Sequence, residues 1–180
     1  MEQLQALDFS ILYGIQDHLR CLFLDLLMPR ITMLGEYGAV WILAALVLLG
    51  MKRHRRGGLT LAAALIAGLI LCNLLLKPLA ARPRPCWLDT GIPLLVPMPL
   101  DYSFPSGHSV SSFAASAVLL RYDKRMGLPA LALAVLIAFS RLYLFLHFPS
   151  DVAAGILLGT LIGLSVSLIL DRFPRKEDWV

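Results

Sequence analysis

The sequence predicts an all-α protein: a polytopic transmembrane bundle of five to six membrane helices with an N-terminal amphipathic segment. Three observations predict this class, since 58% of the 180 residues are hydrophobic, only 16% are charged, and long apolar runs recur along the chain. Soluble domains average about 25% charged residues, so this chain cannot cover a globule of its size with polar surface. The same composition excludes a disordered chain.

Four or five apolar stretches meet or approach the ~20 residues that a helix needs to cross a bilayer. They are residues 31–50, 59–76, 110–120, 128–148 and 152–170. The third stretch is short, and it lengthens if residues 106–109 begin its helix. These stretches are predicted to be the membrane spans of a single domain that covers residues 1–180.

The N-terminal region, residues 1–30, has a different pattern. Between residues 4 and 28, charged side chains interrupt the apolar sequence at Asp8, Asp17, Arg20 and Asp25. This pattern predicts an amphipathic segment at the membrane interface, or a pair of short helices packed on the bundle. A further crossing is the less favoured alternative, because it would bring three or four charges into the bilayer.

Basic residues predict the orientation of the chain. The net charge is +4, and ten of the sixteen Lys and Arg residues lie in three clusters at alternate ends of consecutive spans. The ten are Lys52, Arg53, Arg55, Arg56, Arg121, Lys124, Arg125, Arg172, Arg175 and Lys176. Cytoplasmic loops carry an excess of Lys and Arg, so these clusters are predicted to lie in the cytoplasm and the opposite ends of the spans outside the plasma membrane.

Several other classes of protein are not predicted. The basic residues flank apolar runs, which is typical of membrane topology and not of a nucleic-acid interface. The three cysteines lie far apart without zinc-ligand spacing, and Asp89 and Asp101 are isolated in their loop, so neither a metal nor a cofactor is predicted. The first residues lack a basic region, which argues against a cleaved signal peptide. The oligomeric state is left open.

Residues 77–107 are predicted to form an outer loop, because seven of the eleven prolines lie there and proline interrupts helices. Polar residues gather at its two ends, in residues 77–85 and 105–109. A third polar group occupies residues 140–151, between the last two spans. In a bundle of helical hairpins these three groups meet at one edge of the membrane.

The three groups offer complementary chemistry. Lys77, Arg84 and Arg141 are cationic donors that suit phosphate oxygens. Ser106 and Gly107 precede an apolar run and therefore start a helix, whose free N–H groups and dipole favour an anion. The sequence thus predicts a phosphate-binding site at the outer edge of the bundle.

Two histidines and one carboxylate accompany these cations. His108, His147 and Asp151 supply a nucleophile, an acid and a residue that orients the nucleophile. Pro149 follows His147, so a turn is predicted there, from which Asp151 holds the Nδ1–H of His147. Arg141 lies six residues before His147, roughly 120° around an ideal helix, so its side chain has to reach around or the helix has to be irregular.

The residues at these positions resemble a known family. The motifs K-x6-RP at residues 77–85, PSGH at 105–108 and SR-x5-H-x3-D at 140–151 occur in the order found in the type 2 phosphatidic acid phosphatase superfamily. The resemblance implies that His147 is the nucleophile, that Asp151 orients it, and that His108 protonates the leaving group and then activates water. It also implies a set of residues that bind the phosphoryl oxygens. These are Lys77, Arg84, Ser106, Gly107 and Arg141.

Two further features of the sequence allow alternatives. Arg82 matches no motif position and is predicted to be an interfacial anchor, with help at the phosphate site as the alternative. Gly155, Gly159 and Gly163 form a GxxxGxxxG pattern, which predicts close packing within the bundle or a dimer face.

The resemblance implies a metal-independent membrane phosphatase that acts on a lipid phosphate at the outer face of the plasma membrane. Undecaprenyl diphosphate is the expected substrate, because the chain is small and resembles the bacterial branch of the family. Phosphatidic acid phosphatase, phosphatidylglycerophosphate phosphatase and lipid phosphotransferase are the alternatives within the family. A transporter of a phosphorylated species is the alternative from another class, although such sites lie near the bilayer midplane.

Overall fold

Nine α-helices form the architecture of residues 2–172, the part of the chain that the computed structural model describes. The helices are α1 Glu2–Leu19, α2 Leu22–Leu34, α3 Ala39–Gly50, α4 Arg55–Gly68, α5 Lys77–Ala80, α6 Pro85–Leu88, α7 Gly107–Tyr122, α8 Lys124–Tyr143 and α9 Pro149–Asp171. Residues 2–172 contain no strand, so the all-α prediction is confirmed. Arg175 and Lys176, assigned to the cytoplasmic clusters from the sequence, lie outside the described residues.

Within residues 2–172, three helical stretches are long and apolar enough to cross a membrane. These are Lys52–Leu88, which runs through α4, α5 and α6, Lys124–Tyr143, which is α8, and Pro149–Asp171, which is α9. A fourth candidate is the bent pair Leu22–Leu34 and Glu36–Gly50. The chain is therefore an integral membrane protein with three to four candidate spans. Helix α7 has only 16 residues.

The predicted helix over residues 31–50 is interrupted. The axis bends by 43° between α2 and α3, and a short 3₁₀ turn covers Glu36–Gly38. Tyr37 has φ of 50° and Gly38 has φ of 71°, so two consecutive residues leave the right-handed helical region. The apolar run continues through this break, which is why hydropathy alone does not reveal it.

Helix α7 lies at the centre of the bundle, where it packs against α4, α8 and α9. It starts at Gly107 because Ser106 caps it, with the Ser106 Oγ accepting a hydrogen bond from the Ser109 amide at 3.4 Å. A Cβ on Gly159 would lie 2.3 Å from the Val110 carbonyl oxygen, so only glycine permits this approach of α9 to α7. The glycine pattern thus serves packing within the bundle, which holds the first turns of α7 and α9 together.

The ends of the bundle differ in charge. At one end, Arg56 donates to the Leu170 carbonyl at 2.8 Å, and Arg121 pairs with Asp171 at 2.7 Å. The loops after α3 and α7 therefore lie beside the end of α9, as predicted for the basic clusters. The opposite end holds α5, α6 and the starts of α7 and α9.

Helix α1 packs against this opposite end. Leu12 is fully buried, and the ring of Phe9 lies edge-on to Phe148 with centroids 5.2 Å apart. Phe9 also approaches Phe145, which follows α8. Of the charged residues in this region, Asp8 is buried, with 2% of its surface exposed. A charge in the N-terminal segment therefore faces the bundle.

Candidate active site

The structure gathers the predicted site residues at the end of the bundle opposite the basic clusters. Each residue lies at or next to a helix end, so the helix packing determines its position. Lys77 starts α5, Arg84 precedes α6, Ser106–His108 start α7, Arg141 lies in the last turn of α8, and His147 and Asp151 flank the start of α9. The short hydrogen bond from the Ser106 amide to the Asp151 carbonyl, 3.1 Å long, joins the second and third groups.

A π-helix over Leu69–Leu76 leads directly into Lys77. Such wide turns occur frequently at functional sites because they redirect the residues that follow. Lys77 is buried, and a Cβ on Gly107 would lie 4.0 Å from its Nζ and 3.1 Å from the Asn73 Oδ1. The start of α7 therefore faces both the lysine and an amide of the π-helix, and Asn73 is a polar neighbour that no motif indicated.

Arg84 is the most constrained cation of the site. It is 2% exposed, and its Nε and Nη2 donate to the backbone oxygen and the Oδ1 of Asp101, each at 2.7 Å. Its Nη1 donates to the Leu146 carbonyl at 2.8 Å and lies 3.0 Å from the Nε2 of His147. Because arginine can only donate, Nε2 accepts this hydrogen bond and carries the lone pair of the ring.

Asp101 was considered isolated from the sequence, and this prediction is wrong. Its carboxylate pairs with both Lys77 and Arg84. Burial alone would raise the pKa of this carboxyl, but the hydrogen bond from Lys77 and the charges of Arg84 and Lys77 lower its pKa to about 2. The half-exposed carboxylate is therefore an anion that contacts the cations predicted to bind phosphate.

His147 lies in the turn between α8 and α9. Helix α8 ends at Tyr143, and Phe145 has φ of 59°, so the chain turns sharply before His147. This turn is the irregularity that lets Arg141 and His147 approach the same site. Burial, together with the positive charges of the neighbouring arginines and lysine, holds the pKa of His147 well below its ordinary value. The lowered pKa favours the neutral imidazole, which is the form in which a ring nitrogen acts as a nucleophile.

Asp151 does not contact His147 directly, which corrects the expected hydrogen bond. The distance from its Oδ2 to the His147 Nδ1 is 3.7 Å. Ser103 lies between them, since its Oγ donates to this Oδ2 at 2.5 Å and is 3.3 Å from the Nδ1. The Oδ2 also accepts the Phe148 amide at 2.9 Å, so the carboxylate caps the start of α9. This network assigns the proton of His147 to Nδ1 and leaves the lone pair on Nε2.

His108 lies in the first turn of α7, beside the break between α2 and α3. Its Nε2 makes no hydrogen bond within residues 2–172, and the Glu36 Oε2 lies 3.5 Å away. A Cβ on Gly35 would lie 2.8 Å from the imidazole, so glycine is needed for this approach. The break therefore places a carboxylate next to the second histidine, which the motifs did not indicate.

Arg141 is 4% exposed and donates from Nη1 to the Thr32 hydroxyl at 2.7 Å. Its Nε makes no hydrogen bond within the described residues. A buried donor without a partner is costly, and a bound anion would satisfy it. Thr32 belongs to α2, so this helix as well as α7 and α9 takes part in the site.

Arg82 is not an interfacial anchor, which corrects the favoured prediction. Its Nη1 donates to Asp151 at 2.6 Å and to Ser150 at 2.7 Å, and its Nη2 pairs with Asp8 at 2.7 Å. All of these partners belong to the protein. No pattern in the sequence indicated this contact, because Asp8 and Asp151 are separated by most of the chain.

Groups of three or more His, Cys, Asp and Glu side chains that could hold a metal ion do not occur within residues 2–172. The site instead combines cations, two histidines and carboxylates that pair with arginine or serine. Such a set of residues can bind a phosphoryl group, attack it and transfer a proton.

Comparison with known proteins identifies the family. Residues 57–175 match the PAP2 superfamily. The chain is 39% identical to the Undecaprenyl-diphosphatase of Sulfolobus acidocaldarius over 80% of this chain and 71% of that protein. It is 31% identical to Undecaprenyl-diphosphatase BcrC of Bacillus subtilis over 86% of this chain and 78% of that protein.

A solved structure supports the same assignment. The PAP2 type phosphatidylglycerolphosphate phosphatase from Bacillus subtilis superimposes with a TM-score of 0.77 and 27% sequence identity, over 98% of this chain and 90% of that one. The resemblance noted from the three motifs is therefore confirmed, and the chain belongs to the PAP2 superfamily.

Proposed function

We propose that this protein is a lipid phosphatase that hydrolyses undecaprenyl diphosphate to undecaprenyl phosphate through a phosphohistidine on His147. The relatives named as undecaprenyl-diphosphatases support the reaction and the substrate. The observation that carries the proposal is the contact at His147, whose Nε2 lies 3.0 Å from the buried Arg84 guanidinium and accepts its hydrogen bond.

In the first step, the His147 Nε2 attacks the terminal phosphorus, and the bond to the bridging oxygen breaks. Lys77, Arg84 and Arg141 balance the charge that develops on the phosphoryl oxygens, which is the main requirement of phosphoryl transfer. The amides of Ser106 and Gly107 add donors at the start of α7. The bridging oxygen leaves on the lipid phosphate and takes a proton from His108.

In the second step, His108 removes a proton from a water molecule, which attacks the phosphorus and breaks the bond to His147. Inorganic phosphate, neutral His147 and the protonated His108 with which the first step began result, so the protein returns to its starting state. While His147 carries the phosphoryl group, its ring is positively charged, and Ser103 links its Nδ1–H to the Asp151 carboxylate. No step uses a metal, so the reaction proceeds in EDTA.

An apolar cleft explains how a lipid substrate reaches this site. It has a volume of about 340 Å³ and lies between α3, α4 and α7. Ile42, Leu46 and Leu69 line its apolar part, and His108 and Asn73 lie at its polar end. The cleft suits the portion of a lipid chain next to the phosphate, while the rest of the chain stays in the bilayer.

The charge difference between the two ends of the bundle supports a placement in the membrane. The basic end lies in the cytoplasm, and the active site faces outward from the plasma membrane. The bundle crosses the membrane five to six times, with α7 as a short span surrounded by other helices. The exposed apolar residues of α1, such as Leu4 and Leu7, contact lipid at the outer interface while the opposite face of α1 packs on the bundle.

A second candidate is a phosphatidylglycerophosphate phosphatase. The similarity to the solved phosphatidylglycerolphosphate phosphatase of Bacillus subtilis favours it, because the two structures correspond along almost the whole chain. The cations and histidines would act identically on a phosphate monoester, so the lipid chain and the leaving group distinguish the two substrates.

The test is phosphate release by the purified protein in detergent with EDTA. Undecaprenyl diphosphate, phosphatidylglycerophosphate and phosphatidic acid are compared at equal concentration, with the His147→Ala variant alongside. We expect release that requires His147 and is fastest with the diphosphate. Faster release from phosphatidylglycerophosphate would favour the second candidate, and no release from any of the three would contradict a phosphatase.

A further inference from the structure

Arg82 joins two carboxylates that are far apart in sequence. Its Nη1 contacts the Oδ1 of Asp151 and its Nη2 contacts the Oδ2 of Asp8. The guanidinium also lies over the ring of Phe148, 4.2 Å from its centroid. The planar fork of arginine makes this arrangement possible, because two donors point in fixed directions while the face stacks on the ring. Arg82 is thus held on three sides by protein groups.

Asp8 is bound as firmly as Arg82. Its Oδ1 accepts the Ser150 amide at 2.9 Å, and its Oδ2 accepts the Ser150 hydroxyl at 2.5 Å. Ser150 lies in the first turn of α9, whose free amides and dipole favour a negative charge. A carboxylate that is 2% exposed has to be compensated, and these contacts together with Arg82 provide the compensation.

The position of Asp8 in the chain is informative. It lies on α1, whereas the family model matches residues 57–175, so Asp8 lies outside the region that carries the family's motifs. Its side-chain partners are Arg82 and Ser150, and the cations predicted to bind phosphate are not among them. A role in holding phosphate directly therefore does not fit its contacts.

The contacts continue from Asp8 to the reacting nitrogen. Arg82 holds one oxygen of Asp151, and Ser103 links the other oxygen to the Nδ1 of His147. The backbone carbonyl of Arg82 also accepts the Ser103 amide at 2.9 Å. Arg82 therefore contacts Asp151 itself and also positions Ser103, the other side chain that hydrogen-bonds to Asp151. A displacement of Arg82 would therefore reach His147 through Asp151 and through Ser103.

We propose that Asp8 and Arg82 are positioning residues of the phosphatase reaction, which act through Asp151 to aim the His147 nucleophile. The proposal rests on the function proposed above. It makes the N-terminal helix α1 part of the active site and not only a membrane-surface segment.

The net charge of Asp8, Arg82 and Asp151 supports a role in the reaction in addition to the positioning of His147. Asp8 and Asp151 carry one negative charge each and Arg82 carries one positive charge, so the three together are negative by one. His147 becomes positive when it takes the phosphoryl group, and a net negative cluster behind it stabilises that state. Asp8→Asn removes this net charge, and it also replaces an acceptor of the Arg82 and Ser150 hydrogen bonds with a donor.

The test measures kcat, KM and the inhibition constant of orthovanadate for Asp8→Asn. Carboxylates that orient metal-bound histidines change affinity or activity by about 10–100-fold when substituted, and we take the lower end of that range for Asp8, which acts through two intervening residues. We expect kcat to fall by about tenfold or more, with KM and the orthovanadate constant within twofold of wild type, because the phosphate-binding cations remain. Asp17→Asn, an exposed aspartate on the same helix, is the matched control and leaves all three values unchanged. Rates are expressed per orthovanadate-binding site, so unfolded protein does not lower the apparent kcat.

Arg82→Ala provides the second measurement. Added guanidinium ion can occupy the space of the missing side chain and bridge the two carboxylates, so it is expected to restore part of the lost kcat. Guanidinium has no such effect on wild type.

Three results would overturn the proposal. They are a kcat for Asp8→Asn within twofold of wild type, a loss expressed only in KM or orthovanadate affinity, and no rescue of Arg82→Ala by guanidinium. These results would leave wild-type hydrolysis intact and thus the proposed function unaffected. A wild-type protein that hydrolyses no lipid phosphate would instead overturn the function and this proposal together.

Discussion

The two ends of the bundle use the same residue types in opposite ways. At the predicted cytoplasmic end, Arg53, Arg55 and Arg125 are exposed, and Arg121 forms a surface pair with Asp171. At the other end, Arg84 and Arg141 are 2% and 4% exposed and contact the site directly. Exposed ion pairs contribute about 0–1 kcal/mol, whereas a buried charge has to be fully compensated. Burial and partners, and not the residue type, therefore distinguish the exposed arginines of the basic end from the arginines proposed to bind phosphate.

The largest effect is expected from the histidine that the buried end surrounds. His147→Asn removes the nucleophile, and kcat should fall by at least about 10³-fold, as for other covalent nucleophiles. The measurement is phosphate release in detergent with EDTA. His54→Asn, in the loop at the basic end, is the control and should retain wild-type activity. Equal losses in both variants would show that the two ends do not differ as described.

The second largest difference between the two ends is expected when one arginine at each end is replaced by lysine. Arg84→Lys keeps the charge but loses the fork that reaches Asp101, Leu146 and His147, and kcat should fall by about 10²-fold. Arg121→Lys at the basic end keeps the charge near Asp171, and its kcat/KM should stay within about twofold of wild type because surface pairs contribute little. Steady-state kinetics of the two variants provide the comparison, and a wild-type rate for Arg84→Lys would contradict it.

The burial of His147 also determines how the rate of phosphoenzyme formation changes at acidic pH. An ordinary histidine, with a pKa of about 6.5, would be about 90% protonated at pH 5.5 and lose about tenfold in nucleophile. Because the pKa of His147 is lowered, the neutral form persists as the pH falls from 7 to 5.5. The single-turnover rate of phosphoenzyme formation should therefore change by less than about twofold over this range. A tenfold decrease with an apparent pKa near 6.5 would contradict the buried, cation-flanked nucleophile.

The smallest effect is expected at Asp101, the anion that contacts the cations proposed to bind phosphate. Asp101→Asn removes a carboxylate that competes for Lys77 and Arg84. The inhibition constant of orthovanadate should fall by about two- to fivefold, since half-exposed ion pairs contribute roughly 0.2–1 kcal/mol. Asp123→Asn at the basic end is the matched control. A weaker orthovanadate affinity in Asp101→Asn would mean that the carboxylate organises the cations and does not compete for them.

The sequence was sufficient for the fold class and for the motif residues. Helical membrane runs have a clear length and composition, and the motif positions lie at helix ends, where the hairpin topology brings them together. His147 and Asp151, for example, needed only the short turn at Pro149 to share a site.

The supporting residues could not be predicted for physical reasons. Asp8, Glu36, Asp101 and Ser103 come from segments without a periodic pattern, and each meets its partner only through tertiary packing. The break at Gly35–Gly38 lies within a continuous apolar run, so hydropathy gives no sign that it places Glu36 beside His108. Arg82 illustrates the same limit, because an arginine near a helix end is typical of an interfacial anchor until its partners are known.

The most direct test of the mechanism is to trap the phosphorylated protein. Undecaprenyl diphosphate labelled at its terminal phosphorus is mixed with the His108→Ala variant and quenched in alkali. The lipid phosphate is a good leaving group, so the first step depends little on His108 as an acid. The second step depends strongly on His108 as a base. The phosphorylated intermediate should therefore accumulate in this variant. We predict label that is stable in alkali, labile in acid and located on His147. Absence of labelled protein, or an alkali-labile label on a carboxylate, would contradict the phosphohistidine.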